Sequence, residues 1–415
     1  MKQCRICGRA IEPFLSFGKM PRGNGFLLPG GFPTEYFFNL EVAFCPNCTM
    51  VQLTEQPERE RMFNGNYPFF SGGSQGMALH FKQFAQEVMT HYLASPDAFL
   101  VEIGSNDGTM LAHFSRAGVR HLGVEPSSNV ARVARERGLQ TRCDFFDEDL
   151  ARQIVEEHGR ADAIVGANVL CHISDLHSVA EGIKILLKPG GVTVFEDPYL
   201  GDVIQKTSYD QFYDEHVYLF SVSSISYLLE QHGMEIVDLK PVETHGGSMR
   251  FTAAHQGSLP VSPAVSLAIE KEKGLEFHRP ETYHRFRKRC EKSRDQLMSL
   301  LHRLRKQGKR IVGYGATSKS TTIINYGGIT SNLVEFICDT TPFKQGKFSP
   351  GAHIPVRPHE EFVQRYPDVS LLFAWNHQME IMEKEKEFRR KGGQWLLYVP
   401  EVKVLAPFRE SSLKN

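Results

Sequence analysis

The chain has 415 residues, 41% hydrophobic and 23% charged, which is too long for one ordinary domain and rich enough for several cores. Lys plus Arg equals Asp plus Glu at 48 each, so no global basic field advertises a nucleic-acid partner. No apolar run approaches the roughly 18 residues of a membrane span, and the opening residues lack the apolar stretch of an export signal.

A cytoplasmic chain is therefore expected, in which the eight cysteines serve as metal ligands or buried thiols rather than disulfides. The first segment, residues 1–75, carries two C-x-x-C pairs, Cys4–Cys7 and Cys45–Cys48. Each such turn sets two thiolates on one side of a knuckle, and two knuckles complete a tetrahedral S₄ site. Residues 8–44 between them are more than a zinc ribbon needs, so an inserted hairpin or loop must bring the knuckles together. With all four positions filled by protein, the expected zinc is structural.

The second segment, residues 76–255, alternates helical and strand patterns. A helix over Met77–Tyr92 leads to a strand at 99–103, a helix after Gly108, a strand at 121–124 and a helix over Val130–Arg137. A strand at Ala163–Ala167 and a helix-ending turn at Leu186–Gly191 precede another strand, Val192–Glu196. Such alternation predicts a parallel sheet with crossover helices, whose ligands sit at the carboxyl ends of the strands. There lie Glu102-Ile103-Gly104-Ser105-Asn106-Asp107-Gly108 and, 125 − 104 = 21 residues on, Glu125, placed to accept from a ribose diol. Asn106 and Asp107 replace the second glycine of the dinucleotide fingerprint and suit a cationic, amino-acid-bearing ligand. The arrangement resembles the S-adenosylmethionine (SAM) site of class I methyltransferases, with Asn168 at the end of the fourth strand and Phe145 or Phe146 near the adenine.

Gln211-Phe212-Tyr213-Asp214-Glu215-His216-Val217-Tyr218 sets a histidine beside two carboxylates and between two tyrosines. That combination offers a proton acceptor, groups to orient it and phenols for an oxyanion. His172, His245 and His255 are competing histidines, and His172 falls at the strand end carrying Asn168. His245, beside Gly246-Gly247 before a strand, reads as structural.

The third segment, residues 256–415, opens with an amphipathic helix, about Glu281–Lys309, with Phe286, Cys290, Leu297, Leu301 and Leu304 on one face. A second strand-to-helix turn follows, Gly313-Tyr314-Gly315-Ala316-Thr317-Ser318-Lys319. Strands near Val334–Asp339, Val369–Trp375 and Trp395–Val399 imply another α/β domain. Lys319 is either a diphosphate ligand or a solvated helix residue.

Together these blocks, with Tyr67-Pro68-Phe69-Phe70-Ser71, Gly246-Gly247-Ser248-Met249-Arg250 and Lys344-Gln345-Gly346-Lys347, resemble the nucleotide-sugar C-methyltransferases of deoxysugar pathways. The likeness spans nearly the whole chain. It implies a zinc-binding N-terminal domain, a central class I SAM domain and a C-terminal Rossmann-like α/β domain that helps hold the nucleotide-linked sugar. It also implies His216 as base with Tyr213 and Glu215 beside it, and substrate contacts from Tyr67, Ser71, His172, Tyr218, Ser318 and Lys319. SAM contacts are implied for Glu102, Gly104, Asn106, Asp107, Glu125, Phe145, Phe146 and Asn168. Phe69 stands where related chains often have Tyr, which bears on the choice of sugar. The expected reaction is methylation of a 4-keto-6-deoxy sugar at C-3: His216 removes the α-proton, Tyr213 bonds the enolate oxygen, and Glu215 orients the imidazole. Two other readings stand beside it, a nicotinamide-dependent oxidoreductase and a SAM-dependent RNA methyltransferase with a zinc ribbon. The sequence leaves oligomeric state open.

Overall fold

The computed structural model describes residues 2–405. The N-terminal sheet is antiparallel throughout, in the order Lys2–Gln3, Ala10–Pro21, Phe37–Phe44, Val51–Leu53, Tyr218–Leu219. The long hairpin of Ala10–Pro21 and Phe37–Phe44 is the insertion that separates the two cysteine knuckles. In its second strand Phe38, Leu40 and Val42 point inward, the period of two that buries one face of a pleated strand. The fifth strand, Tyr218–Leu219, comes from far along the chain and pairs with Gln52 and Val51.

The central sheet has seven strands. Numbered by their appearance in the chain they are Phe99–Ile103, Arg120–Val124, Thr141–Arg142, Ala161–Ala167, Leu187–Pro198, Met234–Val242 and Ser248–His255, and they lie side by side as 3-2-1-4-5-7-6. All are parallel except the seventh, which runs antiparallel to both neighbours. Phe99–Ile103 is buried throughout because helices cover both faces. Leu100 packs with Phe84 and Val88 of helix Gln75–Tyr92. Phe99, Val101 and Ile103 belong to the core that includes Ile154 and Ile183 of helices Glu148–His158 and Leu176–Leu186. The expected turn at Leu186–Gly191 is corrected: helix Leu176–Leu186 runs directly into strand Leu187–Pro198. Its partner register jumps from Ala161–Leu187 to Ala163–Val192, so the Lys188–Gly191 stretch bulges out of the ladder.

Helix Pro280–Lys306 buries Phe286, Cys290, Leu297, Leu301 and Leu304, as their spacing predicts. It leads into a second doubly wound sheet of six strands, Ile311–Tyr314, Ile337–Cys338, Val356–Arg357, Val369–Leu372, Gln394–Leu397 and Lys403–Val404, in the order 3-2-1-4-5-6. Only the last is antiparallel. The strands are shorter than the apolar runs suggested: the runs at 369–375 and 395–399 continue into the loop beyond the carboxyl end, whereas Val334, Glu335 and Phe336 precede strand Ile337–Cys338. Among the described residues no helix is long and apolar enough to cross a membrane.

These three sheets converge on one loop, residues 207–217. Its far end hydrogen-bonds the N-terminal sheet, where Leu53 N–H donates to the Val217 carbonyl at 2.8 Å. On the C-terminal side, Thr322 Oγ1 donates to the Phe212 carbonyl at 2.8 Å, and Trp375 Nε1 donates to Asp210 at 2.6 Å. Gly246 makes the same junction possible. It sits at φ +90°, and a Cβ there would lie 2.2 Å from the Trp375 ring.

Candidate active site

Cys4 Sγ lies 3.5 Å from Cys48 Sγ and Cys7 Sγ lies 3.4 Å from Cys45 Sγ. All four sulfurs fall within 4.8 Å of one another. A regular ZnS₄ tetrahedron with Zn–S of about 2.3 Å has sulfur–sulfur edges of roughly 3.8 Å, so the cluster fits zinc. Gly8 and Thr49, each next after the second cysteine of its pair, both adopt positive φ (+70° and +58°), which turns each knuckle inward. Gln52 Nε2 donates to Cys4 Sγ at 3.0 Å, a bond that favours the thiolate. No position is left for substrate, so the metal is structural.

At the carboxyl end of the first central strand, Gly104 sits at φ +67° with Val169 so close that a Cβ would lie 2.6 Å from it. Glu125 accepts from the N–H groups of Asn106 (3.0 Å) and Ser127 (2.7 Å), tying two strand ends together. Burial raises its pKa against those two bonds. Glu102 Oε2 is buried without a partner, and burial with Asp107 and Glu125 nearby pushes its carboxyl well above the usual range. Asn106 Oδ1 accepts from Ser71 N–H at 2.9 Å, its Nδ2 donates to the Phe69 carbonyl, and Asp107 Oδ2 accepts from Gly72 N–H. The segment Tyr67–Gly73 is thus strapped over the turn, with Ser71 attached through its backbone. Asn168, at φ +53°, leaves its buried Oδ1 without a donor. That acceptor and the Glu125 carboxylate, with its remaining lone pairs, suit the ammonium and ribose hydroxyls of SAM. Phe145 is half-buried under the Arg59 guanidinium, 4.3 Å from its ring centroid. Phe146 instead belongs to the core and packs beside Gly182.

His216 is 2% exposed. Its Nδ1 lies 2.7 Å from the Gln211 carbonyl, which can only accept, so Nδ1 carries the proton. The lone pair is on Nε2, 2.7 Å from the Tyr213 hydroxyl. Burial, with His172 and Lys319 nearby, holds the imidazole well below its usual pKa and keeps it neutral. His172 stacks on it with ring centroids 5.3 Å apart. Burial pushes His172 down to about 4, and its Nε2 has no partner.

Glu215 does not orient this imidazole, contrary to the sequence-based expectation. Successive loop residues point apart: Glu215 Oε1 accepts from Asn24 Nδ2 at 2.7 Å and Oε2 from the Tyr67 hydroxyl at 3.1 Å. Burial and the adjacent Asp214 raise its carboxyl. Tyr218 is also misplaced by the sequence reading. Fully buried in the ladder with Gln52, it donates its hydroxyl to the Ser174 carbonyl at 2.6 Å, away from the cluster.

In the C-terminal turn, Lys319 is 6% exposed, not a solvated helix residue. Its Nζ donates to the His245 carbonyl at 3.3 Å, and burial lowers it to about 8 against the pull of Asp210. Ser318 is half-buried on the same turn, its Cβ against Gly23. Lys344 Nζ donates to the Ala316 carbonyl at 2.7 Å, and its charge is felt at Glu215.

Sequence reasoning missed Asn24 and gave Gln211 no role of its own, and it read His245 as structural. His245, at φ +55°, brings Nε2 to 2.7 Å from the Asn168 amide and so stands at the carboxyl end of the fourth central strand. Gln211 anchors His216 through its backbone, and Asn24 reaches Glu215 from the N-terminal domain. Nothing in the spacing around Asn24 marks it; only the convergence of the sheets does. The signal for Gln211 was its place in the cluster itself.

Three family models match the chain: "Putative zinc binding domain" over residues 4–63, "Methyltransferase domain" over 80–239 and "C-methyltransferase C-terminal domain" over 243–400. The chain is 33% identical to C-methyltransferase NovU of Streptomyces niveus over 97% of both proteins. A ubiquinone biosynthesis O-methyltransferase of Bradyrhizobium is 29% identical over 101 residues, 23% of this chain and 38% of that protein. Among solved structures, the magnesium protoporphyrin IX methyltransferase of Synechocystis with bound SAH aligns at 16% identity and TM-score 0.34, covering 43% of this chain and 83% of that one. The full-length match to NovU and the family models decide the matter: the chain belongs to the SAM-dependent C-methyltransferases that carry an N-terminal zinc-binding domain.

Proposed function

We propose that this C-methyltransferase acts on a nucleotide-linked 4-keto-6-deoxy sugar, methylating the carbon next to the ketone, C-3, through an enolate. The reading rests on one observation above all. A neutral, buried histidine is anchored at Nδ1 by the Gln211 carbonyl and keeps the Nε2 lone pair for a proton, with a phenol in hydrogen-bond reach of that nitrogen. Carbon is not nucleophilic until a proton is removed beside a carbonyl, so a base next to an oxyanion donor is what such a reaction needs.

In this scheme the ketone draws the Tyr213 hydroxyl away from His216. Nε2 then takes the α-proton while the phenol stabilises the enolate oxygen. Glu215, raised by burial, and Tyr67, bonded to it, form the opposite wall and hold the sugar's oxygens. Gly104, Asn106, Asp107, Glu102, Glu125, Asn168 and Phe145 hold SAM, which when bound supplies an electrophilic methyl group on its sulfonium. His172 excludes water from the far side of His216, and Ser71 closes the strap over the turn. Ser318 and Lys319, with Lys344 nearby, take the diphosphate through charge and N–H groups at the helix start.

Family membership displaces the oxidoreductase reading. Incubation in D₂O without SAM tests the substrate class. A panel of TDP-, GDP- and CDP-linked keto sugars should include one that gains deuterium beside its ketone and, with labelled SAM, gains a methyl at the same carbon. Methylation of that sugar on oxygen, or of none of the panel, would refute the proposal.

A further inference from the structure

We infer that Asn24, from the zinc-binding domain, is a positioning residue of the reaction site, holding the Glu215 carboxylate through its side-chain amide. The inference rests on the reading above in which Glu215 faces substrate. Asn24 lies in the turn that ends strand Ala10–Pro21, closed by Gly25 N–H on the Arg22 carbonyl at 3.1 Å. The turn is gripped from both other domains. Gly23 N–H donates to Asp214 Oδ1 at 2.8 Å, and Thr321 Oγ1 donates to the Gly23 carbonyl at 2.8 Å. A Cβ on Gly23 would lie 2.9 Å from both Asp214 Oδ1 and Ser318 Cβ, so the backbone is wedged between the reaction loop and the start of helix Ser318–Gly327 in the C-terminal domain. The wedge sets Asn24 Nδ2 2.7 Å from Glu215 Oε1.

The amide is a neutral donor, and a donor to the charged form favours the carboxylate. It acts against the burial and the Asp214 charge that favour the acid. The other groups facing Glu215 are Tyr67, Tyr213, Cys171 and, from the C-terminal domain, Lys344. Of these Tyr67 donates to Oε2 and leaves Oε1 to Asn24. The zinc domain thereby contributes to the reaction by the state of one carboxyl group, besides its role in folding.

The test is the pH profile of turnover in full-length Asn24→Ala and Asn24→Asp enzymes that retain zinc and parental SAM affinity. Losing a hydrogen bond to a charged group should move the limb governed by Glu215 upward by about one to two pH units. Asn24→Asp, nearly isosteric but facing Glu215 with like charge, should move it further. Infrared titration of the protonated carboxyl band, absent in Glu215→Gln, should move in step. A lowered rate with the limb and the band unmoved overturns the positioning role, as does a parental profile in both variants. Parental turnover in Glu215→Gln would overturn the site reading beneath it.

Discussion

His216→Asn separates the base from its anchor. The asparagine Nδ2 can occupy the place of the imidazole Nδ1 and keep donating to the Gln211 carbonyl, now 2.7 Å away, while nothing replaces Nε2. The loop should therefore hold its shape and the proton acceptor alone should vanish. A positioned base contributes about 10²–10⁴-fold, which corresponds to roughly 3–5 kcal/mol of transition-state stabilisation. Tyr213→Phe removes one hydrogen bond at the enolate oxygen, leaves Nε2 free and should cost about tenfold. The assay is methyl transfer from labelled SAM to the keto sugar, with SAM affinity measured separately to confirm an intact cofactor site. Deuterium wash-in without SAM should disappear in His216→Asn and persist, slowed, in Tyr213→Phe. If His216→Asn turns over within about threefold of the parent, the assignment is wrong, and His172, stacked on the same ring, becomes the base to test.

Metal analysis should find one zinc per chain, and Cys4→Ser should lose both the metal and solubility, because a closed S₄ site stabilises the fold; folded, active protein without zinc would contradict this. Glu125→Ala strands the Asn106 and Ser127 N–H groups and removes the ribose acceptor, so SAM affinity by calorimetry should fall about 10–100-fold. An unchanged affinity would remove Glu125 from the site. Lys319→Ala should raise KM for the nucleotide sugar about tenfold or more and leave SAM binding alone; an unaltered KM would show that Lys319 serves the domain junction only.

What the sequence could reveal followed from local chemistry. The cysteine pairs, the glycine turn after Ile103 and the acid at Glu125 each sit within a few residues of the strand or knuckle that explains them. The apolar spacing of Phe286, Cys290, Leu297, Leu301 and Leu304 likewise identified one buried helix face. The errors came where tertiary pairing decides. Tyr218 reads like its neighbour Tyr213, but a two-residue strand buries it against the N-terminal sheet. Glu215 adjoins His216 in the chain, yet the loop turns their side chains apart. His245 reads as loop structure until strand Ser248–His255, inserted antiparallel between two others, carries it to Asn168. Phe145 and Phe146 were indistinguishable in sequence, and only packing against Gly182 separates them.

The late strand Tyr218–Leu219 also has a consequence for biosynthesis. Both zinc knuckles are complete by residue 48, but the edge at Val51–Leu53 waits for a partner that is 218 − 52 = 166 positions later. At about 5–20 residues per second the nascent chain spends roughly ten to thirty seconds with that edge unpaired, a state that invites pairing with other chains. Metal loading can precede closure of the sheet, and the reaction loop is drawn taut only when the strand docks. A fragment ending at residue 63 would carry the metal site and the open edge together, and should associate with itself unless a peptide spanning the late strand is supplied.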